Sequence, residues 1–308
     1  MNPTFSTIMG IIGLFIGIVA LVLIFVFRAI DEGKRVEAIR AKLHGFDEKG
    51  MKLLENSEKI LQRMQQFSTA HHIRPELTTY LVSQWEFIVK TFRNRYEKHD
   101  MCRRIVSSYL SNNDTILLDS GSSVDLVTYE LLSSDLEDMN VYTNNVFAAM
   151  HLVGKQKVKL HLLSGIFSDR FAAVYSKEAN NRIVDLPINV FILAATAIRF
   201  SKGIMVNRAD EDNSEFKRTV LRAFTRAGKR SILIIAVDGT KFVEPTEKHQ
   251  GVLEEKEWGD LIRKYANQIK IVTAPLRRDV EPSLCAQFEQ EISKFVESGV
   301  YLDTGECR

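Results

Sequence analysis

Twenty consecutive residues near the start of the chain, from Ile8 to Phe27, carry neither a charge nor a strongly polar side chain. An α-helix rises about 1.5 Å per residue, so this run spans about 30 Å, the thickness of the hydrocarbon core of a bilayer. No basic residue precedes the run and Arg28 follows it directly, whereas a cleavable signal peptide has basic residues before a shorter apolar stretch. The sequence therefore predicts a retained transmembrane anchor over residues 1–28, a buried core helix being the alternative.

Basic residues follow this run within the window that sets the orientation of a membrane helix. They are Arg28, Lys34, Arg35, Arg40 and Lys42. Loops rich in lysine and arginine stay on the cytoplasmic side of a membrane. We therefore expect a single-pass protein of the cell membrane whose C-terminal domain is cytoplasmic.

An apolar seven-residue spacing follows the anchor. The residues that recur at this spacing are Ile39, Phe46, Leu53, Ile60 and Phe67. A narrow apolar seam of this kind is typical of a coiled coil, and Gly13 and Gly17 form a GxxxG pair that lets membrane helices pack closely. We predict a helical stalk over residues 29–70 and a homo-oligomer, a dimer or higher. The alternative is an amphipathic helix that packs along the protein's own body or the lipid headgroups.

Composition argues against several classes of partner. The 308 residues include 41 basic and 39 acidic side chains, a net charge of +2, which gives no electrostatic reason to expect nucleic acid as a partner. The three cysteines are too far apart in sequence for a CxxC-type metal site. His71 and His72 have no further ligand at zinc-site spacing. The sequence therefore predicts neither a metal site nor a cofactor.

The rest of the chain has the pattern of a layered α/β domain. A first helix is predicted from Glu76 to Leu110, and its arginines are expected to be solvated: Arg93, Arg95, Arg103 and Arg104. Predicted strands follow at Thr115–Leu118, Val141–Thr143, Val158–Leu163, Val190–Ala195, Ser231–Val237 and Ile269–Thr273. Predicted helices separate most of them at Val124–Leu132, Val146–Val153, Ser214–Gly228, Glu254–Asn267 and Leu284–Glu297. Continuous apolar strands are expected in a parallel sheet buried on both faces, so residues 71–308 are predicted to form an α/β domain with a mostly parallel sheet.

Polar residues stand at four of the predicted strand ends, where ligands bind in such folds. After the first strand, Asp119-Ser120-Gly121-Ser122-Ser123 opens a helix whose amides and positive dipole end would form an anion cradle. Ordinary N-capping by a serine is the alternative. The other three ends are Thr143-Asn144-Asn145, Ser164-Gly165 and Asp238-Gly239-Thr240-Lys241. Lys217, in the helix before the last of these ends, adds a positive charge.

The segments ILLDSGSS, VYTNN, LLSG, EFKR and VDGTKF resemble, in this order, the C-terminal effector domain of DeoR-type sugar-responsive repressors. The resemblance covers about Ser107 to Thr273. It implies the fold shared by ribose-phosphate isomerases and CoA transferases, and a pocket for a phosphorylated sugar or a related metabolite. The residues that it implies for that pocket are Asp119, Gly121, Ser122, Ser123, Asn144, Gly165, Lys217, Asp238 and Lys241.

The chain departs from these families in ways that bear on function. An anchor and a stalk stand where the repressors have a winged helix-turn-helix, so DNA binding is not predicted. The DGADE-like motif and KGGGG stretch of the isomerases are absent from the sequence, as is a recognisable glutamate nucleophile of CoA transferases, which argues against catalysis. We predict a membrane-anchored sensor that binds a sugar phosphate or nucleotide-like molecule and signals through stalk and anchor. The alternatives are a membrane-bound isomerase- or transferase-like enzyme on a phosphorylated metabolite, and a scaffold with a vestigial pocket.

Overall fold

The computed structural model of the chain describes residues 95–168, 171–274, 276 and 282–305. The predicted anchor and stalk lie outside these residues. Within the described part, no helix is both long enough and apolar enough to cross a bilayer.

Strands and helices alternate along the described chain. The helices are α1 (Arg95–Tyr109), α2 (Ser122–Ser133), α3 (Val146–Leu152), α4 (Lys177–Ile183), α5 (Glu211–Arg226), α6 (Glu255–Tyr265) and α7 (Pro282–Glu297), with 3₁₀ turns at Gly239–Lys241 and Ala266–Gln268. The strands are β1 (Thr115–Leu118), β2 (Met139–Thr143), β3 (Val158–Leu162), β4 (Ile166–Ser168), β5 (Ala173–Tyr175), β6 (Val190–Leu193), β7 (Ala197–Arg199), β8 (Gly203–Asn207), β9 (Ile232–Asp238), β10 (His249–Gly251), β11 (Ile269–Ala274) and β12 (Tyr301–Asp303).

Seven of these strands form one parallel sheet in the order β12-β11-β9-β6-β1-β2-β3. Strand β1 lies between β6 and β2, with Leu118 beside Ile192 on one side and Thr143 on the other. All six predicted strands belong to this sheet, and their ends lie within two residues of the prediction. The prediction of an α/β domain with a mostly parallel sheet is therefore confirmed.

Alternate residues of the central strands face two separate apolar cores. Leu117 and Ile235 pack in the core that α5 and α6 help to form, whereas Ile116 and Ile234 pack in the core formed with α1, α2 and α3. The sheet is thus the middle of three layers, and burial of both faces explains the continuous apolar runs in the sequence. Because the seven strands are parallel, their carboxyl ends lie together on one side of the domain.

Several short elements have no counterpart in the prediction. Within the described residues, β4 and β5 form an antiparallel hairpin, β10, β8 and β7 form a small antiparallel sheet, and β12 extends the main sheet. Helix α4 has seven residues, and all of these strands except β8 have only three. Strands of three residues contain too few positions to show a hydrophobic period.

The expectation that the arginines of α1 are solvated is wrong for Arg104. Its guanidinium donates a hydrogen bond to the carbonyl of Thr273 at 2.7 Å and pairs with Asp303, and its side chain is 19% exposed. Arg103, by contrast, has an exposed side chain. The partner of Arg104 stands at the end of β12, a strand too short to be predicted, so the sequence showed no reason for burial.

Candidate functional site

The turn from β1 into α2 forms the first part of the site. Gly121 has φ +132°, and a Cβ atom there would lie 3.1 Å from the Cβ of Ala194, so both the backbone conformation and the close approach favour glycine. Gly121 is the N-cap of α2 and offers no side-chain hydrogen bond, while Ser122 and Ser123 lie within the helix. The alternative of serine N-capping is therefore wrong. The amides of this first turn belong to the kind of helix end that binds anions.

A buried ion pair joins Asp119, directly after β1, to Lys217 on α5. The Oδ2 atom of Asp119 accepts hydrogen bonds from the Lys217 ammonium and, at 3.0 Å, from the backbone N–H of Ala194. Its Oδ1 atom accepts no hydrogen bond from any residue that the structure describes. Removing two charges from water is costly unless their remaining polar atoms are satisfied. The Oδ1 atom is thus an acceptor available to a ligand hydroxyl.

A second buried ion pair joins α1 to the end of β9. The Nζ atom of Lys98 lies 3.8 Å from Asp238 Oδ2 and donates a hydrogen bond to Ser122 Oγ at 3.4 Å. The side chains of Lys98 and Asp238 are each 3% exposed. Lys98 therefore connects two strand ends, those of β1 and β9, that the sequence predicted to meet at the site.

The carboxyl group of Asp238 is held in its charged form. Burial by itself would raise its pKa, but the positive charges of Lys241 and Lys98 and hydrogen bonds from Thr240 outweigh burial, so the pKa lies below the ordinary value. Thr240 donates its backbone N–H at 3.1 Å and also its hydroxyl. Asp238 is thus a carboxylate at neutral pH and draws lysine ammonium groups to this end of the sheet.

The lowered pKa of Asp238 predicts a loss of stability in acid. A carboxyl whose pKa is lower in the folded chain stabilises the fold at pH values above its ordinary pKa, and this contribution disappears as the pH falls through the lowered native value. We expect the midpoint temperature of thermal unfolding of the native chain to decrease once the pH is lowered below about 5. In the Asp238→Asn variant this decrease should be less steep. Equal slopes in the two proteins would show that other carboxyl groups cause the acid sensitivity.

Asn144 follows β2, at the strand end next to that of Asp119. The residue is fully buried, and neither its Oδ1 nor its Nδ2 atom has a hydrogen-bond partner among the described residues. Its neighbour Asn145 instead caps α3, accepting a hydrogen bond from the N–H of Ala148 at 3.1 Å. Because buried amides are normally hydrogen-bonded, the side chain of Asn144 is a candidate donor and acceptor for a ligand.

The hairpin of β4 and β5 borders this part of the site. The N–H of Val174 donates to the carbonyl of Asn144 at 2.9 Å, and the hydroxyls of Tyr175 and Ser120 lie 3.2 Å apart. Burial raises the pKa of the Tyr175 phenol, which therefore stays protonated at neutral pH. A Cβ atom on Gly165 would lie 2.3 Å from the carbonyl oxygen of Tyr175, a separation that only glycine permits.

Helix α5 adds a buried polar face. Asn213 and Ser214 precede Lys217 by four and three residues, so the three side chains share one face of the helix, and all three are buried. Asn213 Oδ1 and Ser214 Oγ have no hydrogen-bond partner among the described residues. Neither residue was predicted from the sequence, although their spacing from Lys217 places them on the same helix face as a predicted site residue.

The structure places the predicted site residues in two groups. The contacts and charges described above connect the larger group: Asp119, Gly121, Ser122, Lys217, Asp238 and Lys241. Asn144 and Gly165 form the second group, around the hairpin. Ser123 is buried in the first turn of α2, where its carbonyl accepts a hydrogen bond from Cys102 Sγ at 3.2 Å. Within the described residues, no hydrogen bond or ion pair joins Asn144 or Gly165 directly to the two ion pairs.

The chemistry of this end of the sheet suits an anion that also carries hydroxyl groups. Three lysines (Lys98, Lys217 and Lys241) lie here beside the carboxylates of Asp119 and Asp238, and their ammonium groups can also pair with an anionic ligand. The side chains without partners supply acceptors and donors for hydroxyl groups. Among the described residues, no three potential metal-ligating side chains come together.

Fold and site together define an α/β ligand-binding domain with a polar site at the carboxyl end of a parallel sheet. The chain belongs to the family of the DeoR C-terminal sensor domain, whose family model matches residues 93–255, more than half of the chain. The resemblance predicted from the motifs is therefore confirmed at the level of the family.

The relatives of the chain match it in part. The L-fucose operon activator of Haemophilus influenzae is 26% identical over 171 residues, which cover 53% of this chain and 64% of the activator. The chain thus spans less than two thirds of that relative's length. Among solved structures, a ribose 5-phosphate isomerase from Plasmodium falciparum is 18% identical with a TM-score of 0.32, covering 47% of this chain and 52% of its own. A probable sor operon regulator from Shigella flexneri is 11% identical with a TM-score of 0.37, covering 63% and 88% respectively.

Proposed function

We propose that the chain is a membrane-anchored sensor whose α/β domain binds a phosphorylated small molecule, a sugar phosphate or a nucleotide-like compound. Membership of the sensor-domain family supports a role in ligand binding and regulation, as does the similarity to an L-fucose operon activator. The anchor and stalk predicted over residues 1–70 lie outside the described residues. We propose that they hold the domain at the cytoplasmic face of the cell membrane and assemble the chain into an oligomer.

The observation that carries this proposal is the set of buried polar atoms without protein partners beside buried lysines. Asp119 Oδ1 and both polar atoms of the Asn144 side chain lie at adjacent strand ends and have no partners among the described residues. Each such buried group costs about 1–3 kcal/mol when it stays unsatisfied. A ligand with several hydroxyl groups would supply hydrogen-bond partners for all three atoms. Ligand binding would therefore explain why these polar groups are buried without protein partners.

The arrangement also suggests how the ligand lies in the site. Its phosphate would bind at the first turn of α2, where the helix dipole and the Lys98 ammonium favour negative charge. Its hydroxyl groups would reach Asp119 Oδ1, Asn144 and the polar face of α5. Lys241, close to Asp238, would add a second positive charge to the phosphate side.

Thermal stabilisation of the full-length chain in detergent micelles tests the proposal. The probes are inorganic phosphate, ribose 5-phosphate, glucose 6-phosphate and AMP, each beside its unphosphorylated counterpart where one exists. A phosphorylated ligand at about a hundred times its dissociation constant should stabilise the fold by about 2.7 kcal/mol. Analysis of the bound compound after incubation distinguishes sensing from turnover, because an enzyme would convert it. The proposal is contradicted if the chain is folded and none of the phosphorylated probes stabilises it.

Substituting Asn144 by leucine separates ligand binding from folding. Leucine has a similar size and no polar atoms, so burying it should leave the free energy of unfolding unchanged or raise it by up to about 2 kcal/mol. Stabilisation by the phosphorylated ligand should fall strongly. Asn189→Leu is the matched control, because both polar atoms of the Asn189 side chain have hydrogen-bond partners near the amino ends of β1 and β6. It should cost about 1–3 kcal/mol of stability and leave ligand stabilisation in place. A destabilised Asn144→Leu variant that still binds would show that the Asn144 amide is structural.

A further inference from the structure

Helix α1 reaches the first turn of α2 at two points. Lys98, the fourth residue of α1, contacts the hydroxyl of Ser122 at 3.4 Å. Cys102, one turn later, donates its thiol hydrogen to the carbonyl of Ser123 at 3.2 Å. Residues four apart share one face of a helix, so a single face of α1 lies against the helix end where the anion of the proposed ligand binds.

Burial makes the lysine of this face more than a surface contact. Lys98 is 3% exposed, and a buried ammonium is costly unless negative or polar groups surround it. Its ion-pair partner, Asp238, belongs to a different strand end. Lys98 belongs to a helix and not to a strand-end loop. Its positive charge lies between the end of β9 and the first turn of α2, where we expect the anion to bind.

We propose that Lys98 binds the anionic group of the ligand and thereby makes the first turns of α1 sensitive to occupancy of the site. This inference rests on the proposed function. An anion at the first turn of α2 would add a charged partner to the ammonium that already contacts Asp238 and Ser122, so binding strengthens the contacts that hold α1 at its start. Residues 1–94, which include the predicted stalk, directly precede α1 in the sequence. A change in α1 upon ligand binding would therefore be transmitted along the chain toward the predicted stalk.

Hydrogen–deuterium exchange on the full-length chain tests this role, with ribose 5-phosphate and inorganic phosphate as probes. In the native chain, a saturating probe should slow amide exchange in residues 95–109. The Lys98→Met variant should bind the probe about ten- to a hundredfold more weakly. At saturation, its exchange in residues 95–109 should no longer change. Lys98→Arg keeps the charge and should restore part of the affinity, which guards against a variant that folds poorly.

Two matched substitutions make the result specific. Lys241→Met removes a cation of the site that lies outside α1. This variant should bind the probe more weakly, but at saturation the probe should still slow amide exchange in α1. Arg103→Gln changes an exposed cation of α1 and should behave as the native chain. Unchanged affinity of Lys98→Met overturns the proposal. Weaker binding with native protection of α1 overturns the coupling alone, while a native chain that binds neither these two probes nor glucose 6-phosphate nor AMP overturns the proposed function as well.

Discussion

Replacing Lys217 by methionine is expected to lower the free energy of unfolding by about 3–5 kcal/mol, because it leaves the Asp119 carboxylate buried without its cation. Both side chains are almost completely buried, at 3% and 0% exposure. The loss is measured by urea denaturation of the full-length chain followed by tryptophan fluorescence. Ligand stabilisation should also disappear, because the same pair stands at the centre of the site.

A second variant distinguishes a buried charge from a packing defect. In Asp119→Asn combined with Lys217→Met no charge remains at the pair, and the asparagine oxygen can still accept the N–H of Ala194 that Asp119 Oδ2 accepts. The double variant should regain most of the lost stability, since neutral replacements of buried ion pairs are often tolerated, but it should not regain ligand binding. If the double variant is as unstable as Lys217→Met, the methionine packs badly and the ion pair is not the cause.

The layered fold could be predicted because each central strand buries both faces. Strands such as β9 (Ile232–Asp238) then appear in the sequence as continuous apolar runs. The polar residues at the end of each run mark the carboxyl ends of the strands. The hairpin of β4 and β5 could not be predicted in this way, because three-residue strands show no period. Tyr175, which lies on this hairpin and meets Ser120, was missed for the same reason.

Apart from Lys217, which the EFKR motif of the family indicated, the site was predictable only where its residues follow strands. Asp119, Asn144 and Asp238 stand at strand ends, so both the topology and the family motifs point to them. Lys98 stands on a helix before the first strand, and nothing in its surroundings distinguishes it from a solvated lysine. Its role depends on contacts with residues 24 and 140 positions later in the chain, Ser122 and Asp238, which only the packing of α1 on α2 and the sheet brings about.

Substituting Gly165 by alanine is expected to cost about 2–5 kcal/mol of stability and to weaken ligand binding. The added Cβ atom would lie 2.3 Å, 2.4 Å and 2.8 Å from the carbonyl oxygen, carbonyl carbon and amide nitrogen of Tyr175. These are backbone atoms, so no change of rotamer relieves the overlap, and overpacking of this kind costs about 1–3 kcal/mol. The positive φ of +156° adds backbone strain of about 1–2 kcal/mol.

The effect on binding follows from what the hairpin holds in place. Moving β5 away from Gly165 shifts the N–H of Val174 from the carbonyl of Asn144 and the phenol of Tyr175 from Ser120. Gly154→Ala is the matched control, because Gly154 also has a positive φ, +82°, but a Cβ atom there meets nothing within 4 Å. It should cost only about 1–2 kcal/mol and leave binding unchanged. Equal losses of stability and binding in the two variants would show that φ strain, not the contact with Tyr175, requires glycine at position 165.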